Sequence, residues 1–213
     1  MKYGESTFDL VYLAFAIVLG VCILRKRRDA VGKLMGAAVL ILGCGDAFHL
    51  IPRVLNYFCS GDFTAWLGFG KLVTSITMTV FYLLMYRLWL RVCGEKENRA
   101  LSMTVCLLAA LRIVLCLLPG NRWLQNDGPA FWGIVRNLPF VALGVVDVCL
   151  YFRKRGELRC FRSVWLLISL SFLFYIPVAF AAGLVPLLGM LMLPKTVCYM
   201  FLIWTFWKGV SEI

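Results

Sequence analysis

The chain alternates long apolar runs with short charged connections. Seven runs each come close to the roughly 20 residues with which a helix crosses a bilayer. Backbone groups in lipid must be paired within their own segment, and the runs lack the alternation typical of outer-membrane strands, so they predict helices. We therefore expect an all-α bundle of seven transmembrane helices that forms a single domain over residues 1–213. The predicted spans are 8–24, 33–57, 64–91, 100–118, 130–152, 162–184 and 187–207.

The composition excludes several classes of protein. Of the 213 residues, 62% are hydrophobic and only 15% are charged, and the mean hydropathy is +0.86. A soluble domain of this size buries about two-thirds of its surface, which is too little to hide this much apolar area from water. A soluble enzyme and a disordered chain are therefore excluded. The nine cysteines form no Cys-x-x-Cys pair, and we expect neither a metal site nor a cofactor.

The distribution of lysine and arginine predicts the orientation. Fifteen of the 22 basic residues fall in the first, third and fifth connections and after the last span, against Lys2 and Arg122 on the opposite side. Positive residues stay cytoplasmic, so we expect the N-terminus outside and the C-terminus inside. The net charge of +11 is thus a topology signal and not a nucleic-acid-binding surface. Because residues 1–10 lack the features of a cleaved signal peptide, we expect an uncleaved, multi-pass protein of the cytoplasmic (plasma) membrane.

Spans one to three match spans five to seven. Each triplet has a basic cluster after its first span, an Ile-Pro pair in its second and a lysine early in its third. Lys71 follows Pro52 by 19 residues, and Lys195 follows Pro177 by 18 residues. The pattern predicts a parallel three-plus-one-plus-three repeat with the two prolines as hinges, and chance register in a biased composition is the alternative. Transporters built from such repeats bind their solutes at the repeat interface.

This arrangement resembles the three-plus-one-plus-three class of seven-helix membrane proteins, which includes the PQ-loop sugar transporters, and more distantly it resembles the rhodopsins. The resemblance covers the whole chain in topology and implies a solute site between the triplets. The chain has no Pro-Gln pair, so a sugar is not implied. The rhodopsin resemblance implies a retinal Schiff base on Lys195, but rhodopsins carry a carboxylate in the third span, where this chain has Lys71.

Ionisable side chains within the spans predict a polar site. Insertion of one charged side chain at the centre of a transmembrane helix costs roughly 2.5–3.5 kcal/mol, so such groups normally face the bundle interior. At a rise of about 1.5 Å per residue, the cations and one carboxylate fall in the outer half, with Lys71 level with Asp46. Asp147 falls near the inner edge beside Arg153, where we expect its carboxylate to reach the headgroups. The cations are Arg53, Lys71, Arg112, Arg136 and Lys195, and the carboxylates are Asp46 and Asp147.

These groups predict an outward-facing electropositive cavity that binds, and transports, a small anionic or amphiphilic solute. Asp46 neutralises one lysine, and water or an anion must complete the site for the other cations. Arginine suits a carboxylate or phosphate because it binds either through two hydrogen bonds. The alternatives are arginines that reach the headgroups and a structural Lys71–Asp46 ion pair. The candidate ligand-binding residues are Asp46, His49, Lys71, Ser75, Arg112, Arg136, Asn137, Tyr175, Lys195 and Tyr199.

The segment 43–49, Gly-Cys-Gly-Asp-Ala-Phe-His, also has an enzymatic interpretation. Asp46 and His49 share one helix face and can form a catalytic or proton-coupling pair. Phe48-His49 resembles part of a signature of the alkaline ceramidase superfamily, and Gly45-Asp46 resembles part of one in the lysoplasmalogenase family. These resemblances imply an intramembrane lipid hydrolase, although the ceramidase zinc site needs three histidines and the chain has one. A hydrolase and a seven-helix ligand sensor are therefore the alternatives to a transporter.

Overall fold

The computed structural model describes residues 2–157, 160–181 and 185–212, and these ranges contain helices and connections but no β-strand. Short 3-10 helices lie at Pro119–Asn121 and Trp123–Gln125, and a third at Pro186–Leu191 leads into the last α-helix. The all-helical prediction is thus confirmed for the described residues. The α-helices are α1 (Lys2–Lys26), α2 (Ala30–Phe58), α3 (Thr64–Val92), α4 (Arg99–Leu117), α5 (Ala130–Arg153), α6 (Val164–Ala181) and α7 (Met192–Glu212).

The helices have the length and surface of a membrane protein. Among the described residues, six helical segments are long and apolar enough to cross a membrane, with mean hydropathies between 1.5 and 2.4. They comprise α1 to α5 and a segment formed by α7 with most of the 3-10 turn before it, whereas α6 is apolar but shorter. Large apolar side chains such as Leu107, Leu111 and Val114 lie exposed along α4, as a lipid-facing surface requires. The chain is therefore a helical membrane protein.

Helices that follow one another in the chain also pack against one another. The contacts run from α1 to α2 to α3, and from α5 to α6 to α7. Because α3 also packs on α5 and α7 on α1, these six helices close into a ring, and α4 packs against α3 and α5. The ring surrounds an aromatic core and, at one end, a polar cavity.

The helices α2 and α3 approach closely at two glycines. A Cβ at Gly70 would collide with the backbone of Phe48, and one at Gly45 would collide with Thr77. At the same crossing, the Thr74 hydroxyl donates a hydrogen bond to the Gly45 carbonyl over 3.0 Å. Small residues allow helix backbones to meet where lipid supplies no hydrophobic driving force. The crossing holds the polar faces of the two helices side by side.

The helix ends differ from the predicted boundaries for local reasons. α1 begins at Lys2 and not at residue 8. α2 begins directly after Asp29, whose carboxylate caps the helix by accepting a hydrogen bond from the backbone nitrogen of Gly32 over 3.0 Å. The predicted end of the sixth span falls at 182–184, which lie outside the described residues.

Candidate functional site

A cavity of about 350 Å³ lies at the end of the bundle that carries the α2–α3 and α4–α5 connections. All seven helices contribute to its wall, and Trp123 of the α4–α5 connection closes part of it. The structure brings all ten predicted ligand-binding residues to this one wall. They are Asp46 and His49 of α2, Lys71 and Ser75 of α3, Arg112 of α4, Arg136 and Asn137 of α5, Tyr175 of α6, and Lys195 and Tyr199 of α7.

Asp46 lies where α2 borders α1 and α7. Its Oδ2 accepts a hydrogen bond from the hydroxyl of Tyr12 in α1 over 2.7 Å. The Lys195 ammonium attracts the same carboxylate electrostatically. The countercharge of Asp46 is thus the lysine of α7, and not Lys71 as the structural ion-pair alternative supposed.

His49 lies one turn along α2 from Asp46, but the two side chains do not form the pair that a hydrolase would use. Asp46 accepts its hydrogen bond from Tyr12, and the buried Nδ1 of His49 has no partner among the described residues. Lys71, Arg53 and Lys195 act on the imidazole electrostatically. The imidazole also lies within hydrogen-bonding reach of the backbone of Leu67 in α3, so it is held between α2 and α3.

Lys71 lies at the rim of the cavity, next to the α4–α5 connection. Its Nζ donates a hydrogen bond to Oδ1 of Asn126 over 2.7 Å, and the Ser75 hydroxyl donates to the Lys71 carbonyl over 2.7 Å. Because Thr74 contacts Gly45 and Gly70 abuts the backbone of Phe48, Lys71 lies within about one helical turn, roughly 5 Å, of Asp46 along the bundle. The Lys71 side chain is exposed, so its ammonium can turn towards a ligand.

Lys195 is held by aromatic rings. Its Nζ lies 4.7 Å from the ring centroid of Tyr175 and 5.3 Å from that of Tyr199. Such cation–π contacts contribute about 0.5–1 kcal/mol at exposed sites and about 2 kcal/mol where water is excluded. Lys71 and Lys195 both reach the cavity, but one is held by an amide and the other by two rings.

Arg112 is almost fully buried, with 2% of its surface exposed. Its Nη1 donates a hydrogen bond to Oδ1 of Asn137 over 2.9 Å, and its guanidinium lies 3.7 Å from the ring centroid of Phe140. The Tyr175 hydroxyl donates to the same Oδ1 over 2.8 Å, and the Asn137 amide donates to the carbonyl of Gly133 over 2.9 Å. Asn137 thus connects α4, α5 and α6. Because Arg112 points into the bundle, the alternative in which it reaches the headgroups is wrong.

Arg136 fastens the α4–α5 connection to the cavity. Its Nη1 donates a hydrogen bond to Oδ1 of Asn121 over 2.7 Å, and its guanidinium lies 4.4 Å from the ring centroid of Trp123. Asn121 is 1% exposed and anchors the connection to the end of α4 through its own amide. The segment 119–126 therefore forms one side of the cavity.

Arg53 lies beside two carboxylates of α1 that were not among the predicted site residues. Its Nη2 lies 3.1 Å from Oε2 of Glu5, and its Nη1 lies 4.0 Å from Oδ2 of Asp9. The signal was present, because Glu5, Asp9 and Tyr12 recur at the spacing of one helix face. It was overlooked because the first span was predicted to begin at residue 8, which left Glu5 outside the helix and Asp9 at its very edge.

The cavity wall has an excess of positive charge. With Arg53 paired to α1, Asp46 is the remaining carboxylate among the described residues of the wall. Unpaired charges in a medium of low polarity are costly, so an anion that enters would be stabilised. Guanidinium and ammonium groups together suit a carboxylate or a phosphate. Four cations face Asp46: Lys71, Arg112, Arg136 and Lys195.

Asp147 lies in the core of the bundle and not at its edge. It was predicted to extend towards the headgroups beside Arg153. In the structure it is fully buried, and neither carboxylate oxygen has a hydrogen-bond partner among the described residues. Helical periodicity explains the error, because Asp147 shares the inward face of α5 with Phe140 and Leu143. The prediction relied on the depth of Asp147 along the helix, and this depth does not determine whether the side chain points towards the core or towards the lipid.

The two candidate hinge residues lie within continuous helices. Pro52 lies in α2, one turn beyond His49, and Pro177 lies in α6, next to Val178 of the cavity wall. A proline removes a backbone hydrogen bond from the helix that contains it. Both helices are thus weakened close to the cavity.

Comparison with known proteins does not identify the chain. No family model, no curated protein and no solved structure matches it. Its function has to follow from the chemistry of the cavity.

Proposed function

We propose that the protein is a seven-span carrier of the cytoplasmic membrane that binds a small carboxylate or phosphate compound in this cavity and moves it across the bilayer. The observation that carries the proposal is the set of four cations opposite one carboxylate on a wall built by all seven helices. Ionisable groups within a membrane protein mark solute and ion pathways because their burial is costly. Arg112 is held by an amide and a ring, with no carboxylate within salt-bridge distance in the described residues, which leaves its charge available to an anion.

The proposed topology has seven spans with the cavity facing outwards. α6 contains 18 residues, which corresponds to about 27 Å of helix and approaches the roughly 30 Å of the hydrocarbon core. The basic connections lie at the end of the bundle opposite the cavity, and the rule that positive residues stay inside then orients the cavity outwards.

The proposed repeat is supported by the helix contacts. Exchange of α1–α3 with α5–α7 converts the α3–α5 contact into an α7–α1 contact, and both contacts occur. The exchange also relates Lys71 to Lys195 and Pro52 to Pro177. Rocking of one triplet against the other, with the prolines as hinges, would expose the cavity to each side in turn.

Uptake into proteoliposomes tests the proposal, with radiolabelled phosphate, acetate and succinate as probes. We expect Lys71→Ala and Lys195→Ala each to lower uptake about tenfold or more, because a hydrogen bond to a charged group contributes about 1.5–3 kcal/mol. The matched control is Lys33→Ala, which removes an exposed lysine at the opposite end of α2. If both cavity variants take up every probe as fast as the parent protein does, the cavity is not the transport site.

The orientation has its own test in cysteine labelling of intact cells. In a cysteine-free background, we expect Cys59 in the α2–α3 connection to react with a membrane-impermeant maleimide. A Lys96→Cys variant reports on the opposite side and should react only after permeabilisation. It is preferable to native Cys93, because burial raises the pKa of the Cys93 thiol to about 11 and slows its reaction. Labelling with the opposite pattern would reverse the proposed topology.

A lipid hydrolase remains the second candidate because of the unpartnered Nδ1 of His49. This nitrogen could activate a water molecule while Lys71 and Lys195 hold the phosphate of a lysolipid headgroup. The reaction would release fatty acid or aldehyde from lysolipids, and His49→Ala would abolish it. Release of neither product by the parent protein would eliminate this candidate.

A further inference from the structure

The buried carboxyl of Asp147 has no role in the cavity. Along α5 it lies seven residues beyond Phe140, which corresponds to about 10 Å below the cavity wall on the same helix face. Its exposed fraction is 0%, and both oxygens lack hydrogen-bond partners among the described residues. A buried polar group without a partner is rare and calls for an explanation.

Buried hydroxyl groups lie between the cavity and Asp147. Tyr199 contributes to the cavity wall, and its hydroxyl lies 3.1 Å from that of Tyr82 in α3. Ser171 of α6, which is 1% exposed, lies beside both hydroxyls. Asp147 in turn acts electrostatically on Tyr82. The order from the cavity inwards is therefore Tyr199, Tyr82 and Asp147.

We infer that Asp147 is a proton-binding site, linked to the cavity by the hydroxyls of Tyr199 and Tyr82, that couples solute transport to proton movement. The inference rests on the proposed transport function and deepens it, because it names the coupling ion. Asp147 receives a proton that enters through the cavity and releases it towards the opposite end of the bundle. Each hydroxyl on the way accepts one proton and donates another, so neither changes its charge. The last transfer requires the Asp147 carboxyl, which has no hydrogen bond in this conformation, to turn towards the Tyr82 hydroxyl during the cycle.

The surroundings of Asp147 favour a proton over a metal ion. An ionised carboxylate here would have neither a countercharge nor a hydrogen bond, which burial strongly disfavours, whereas the neutral acid avoids the charge. The titratable groups that face it are Tyr82 from α3 and Tyr151 one turn along α5. No charged side chain in the described parts of α3, α4 or α6 acts on it. No group of three or more His, Cys, Asp or Glu residues in the described ranges could hold a metal ion.

Asp147 also differs from the pair Asp46 and His49, the coupling candidates of the sequence analysis. Asp46 has a hydrogen bond from Tyr12 and the charge of Lys195 nearby, and both partners favour its ionised form over that of a buried carboxyl without partners. A coupling group has to gain and lose its proton during the cycle. The lack of partners makes Asp147 hold a proton in this conformation, so that its release requires a change in its surroundings during the cycle, whereas the partners of Asp46 favour loss of the proton.

Infrared spectroscopy of the purified protein in lipid nanodiscs tests the proton site without any transported solute. We expect the parent protein to show the carbonyl stretch of a protonated carboxylic acid at neutral pH, and we expect this band to be lost at strongly alkaline pH. Asp147→Asn should remove the band, and Asp46→Asn, the matched control, should retain it. If the parent shows no such band, or if the band survives in Asp147→Asn, the inference is wrong.

Uptake into proteoliposomes tests the coupling, with phosphate and succinate as probes and with the membrane potential clamped to zero; acetate is omitted because its neutral acid crosses the bilayer without a carrier and follows the pH gradient. A pH gradient of one unit supports up to about tenfold accumulation of a solute that moves with one proton. We expect this accumulation for the parent and none for Asp147→Asn, which should still exchange labelled for unlabelled probe across the membrane. Asp147→Glu should restore part of the accumulation.

The two experiments separate the inference from the proposed function. If the parent moves no probe while the infrared band depends on Asp147, the carrier proposal fails and the proton site stands. If Asp147→Asn accumulates the probe as the parent does, or if sodium replaces the pH gradient as the driving ion, the carrier proposal stands and the coupling role of Asp147 is refuted.

Discussion

Replacement of Asn137 by alanine tests the contact that joins α4, α5 and α6 at the cavity. The Asn137 side chain, 3% exposed, accepts hydrogen bonds from Arg112 over 2.9 Å and from Tyr175 over 2.8 Å, and donates one to Gly133 over 2.9 Å. Alanine removes all three. The Nη1 of Arg112 would retain a longer contact of 3.4 Å to the backbone carbonyl of Arg136.

The size of the effect follows from these partners. A hydrogen bond to a charged group contributes about 1.5–3 kcal/mol to stability, and a neutral one about 1 kcal/mol. Loss of the bonds from Arg112 and Tyr175 should therefore cost about 3 kcal/mol. For a chain of this length, each kcal/mol lowers Tm by about 2–4 °C, so we expect a decrease of about 6–12 °C.

A thiol-reactive dye in detergent measures the unfolding temperature, because the buried Cys116 and Cys198 become reactive when the bundle opens. All samples are heated at one rate, since membrane proteins often unfold irreversibly. The matched control is Asn126→Gly, which removes an acceptor for the exposed Lys71 and fits the positive φ of residue 126, so it should shift Tm by no more than about 2 °C. If Asn137→Ala and Asn126→Gly unfold at the same temperature, the assigned role of Asn137 is incorrect.

Two further substitutions test the helix contacts and can be measured in the same assay. Gly70→Ala should lower Tm because its Cβ would meet a carbonyl of α2. The control Gly133→Ala has no close contact and should be neutral or stabilising by up to about 1 kcal/mol. Equal changes in Tm for the two variants would argue against the close crossing of α2 and α3. Asp29→Ala should cost about 1 kcal/mol at neutral pH through loss of the α2 cap. Hydrogen bonds from Arg27 and Gly32 hold the pKa of Asp29 below its usual value, so this stabilisation is present above that usual value and is lost as the pH falls through the lowered pKa. Parent and variant should therefore converge in acid, and a difference that persists there would contradict this role.

The members of the site could be predicted because lipid constrains where charge can lie. Lys71, Arg112 and Lys195 fall within apolar spans, and their cost in lipid directs them into the bundle, where the structure brings them to one cavity. Their partners could not be predicted in the same way. The contact of Asp46 with Tyr12 depends on how α1 is rotated against α2, and apolar spans contain no marker for that rotation.

Asp147 shows more clearly what could not be predicted from the sequence. Its distance along α5 was estimated from residue counting, which placed it near the inner edge beside Arg153 and predicted that its carboxylate reaches the headgroups. Whether a side chain extends towards a membrane surface or into the core depends on the face that its helix turns to its neighbours. For Asp147 that face meets α3 and α6, and the outcome is a carboxyl without a partner among the described residues.

The amino-acid sequence by itself determined that the chain is a helical membrane protein with ionisable groups held away from lipid, because hydropathy and the cost of burying charge are properties of single residues and short segments. Only the tertiary structure decided which groups meet. It paired Arg53 with α1, joined Arg112 to Asn137, and isolated Asp147 in the core. These outcomes depend on the rotation and depth at which one helix packs on another, which many weak contacts between distant residues set together.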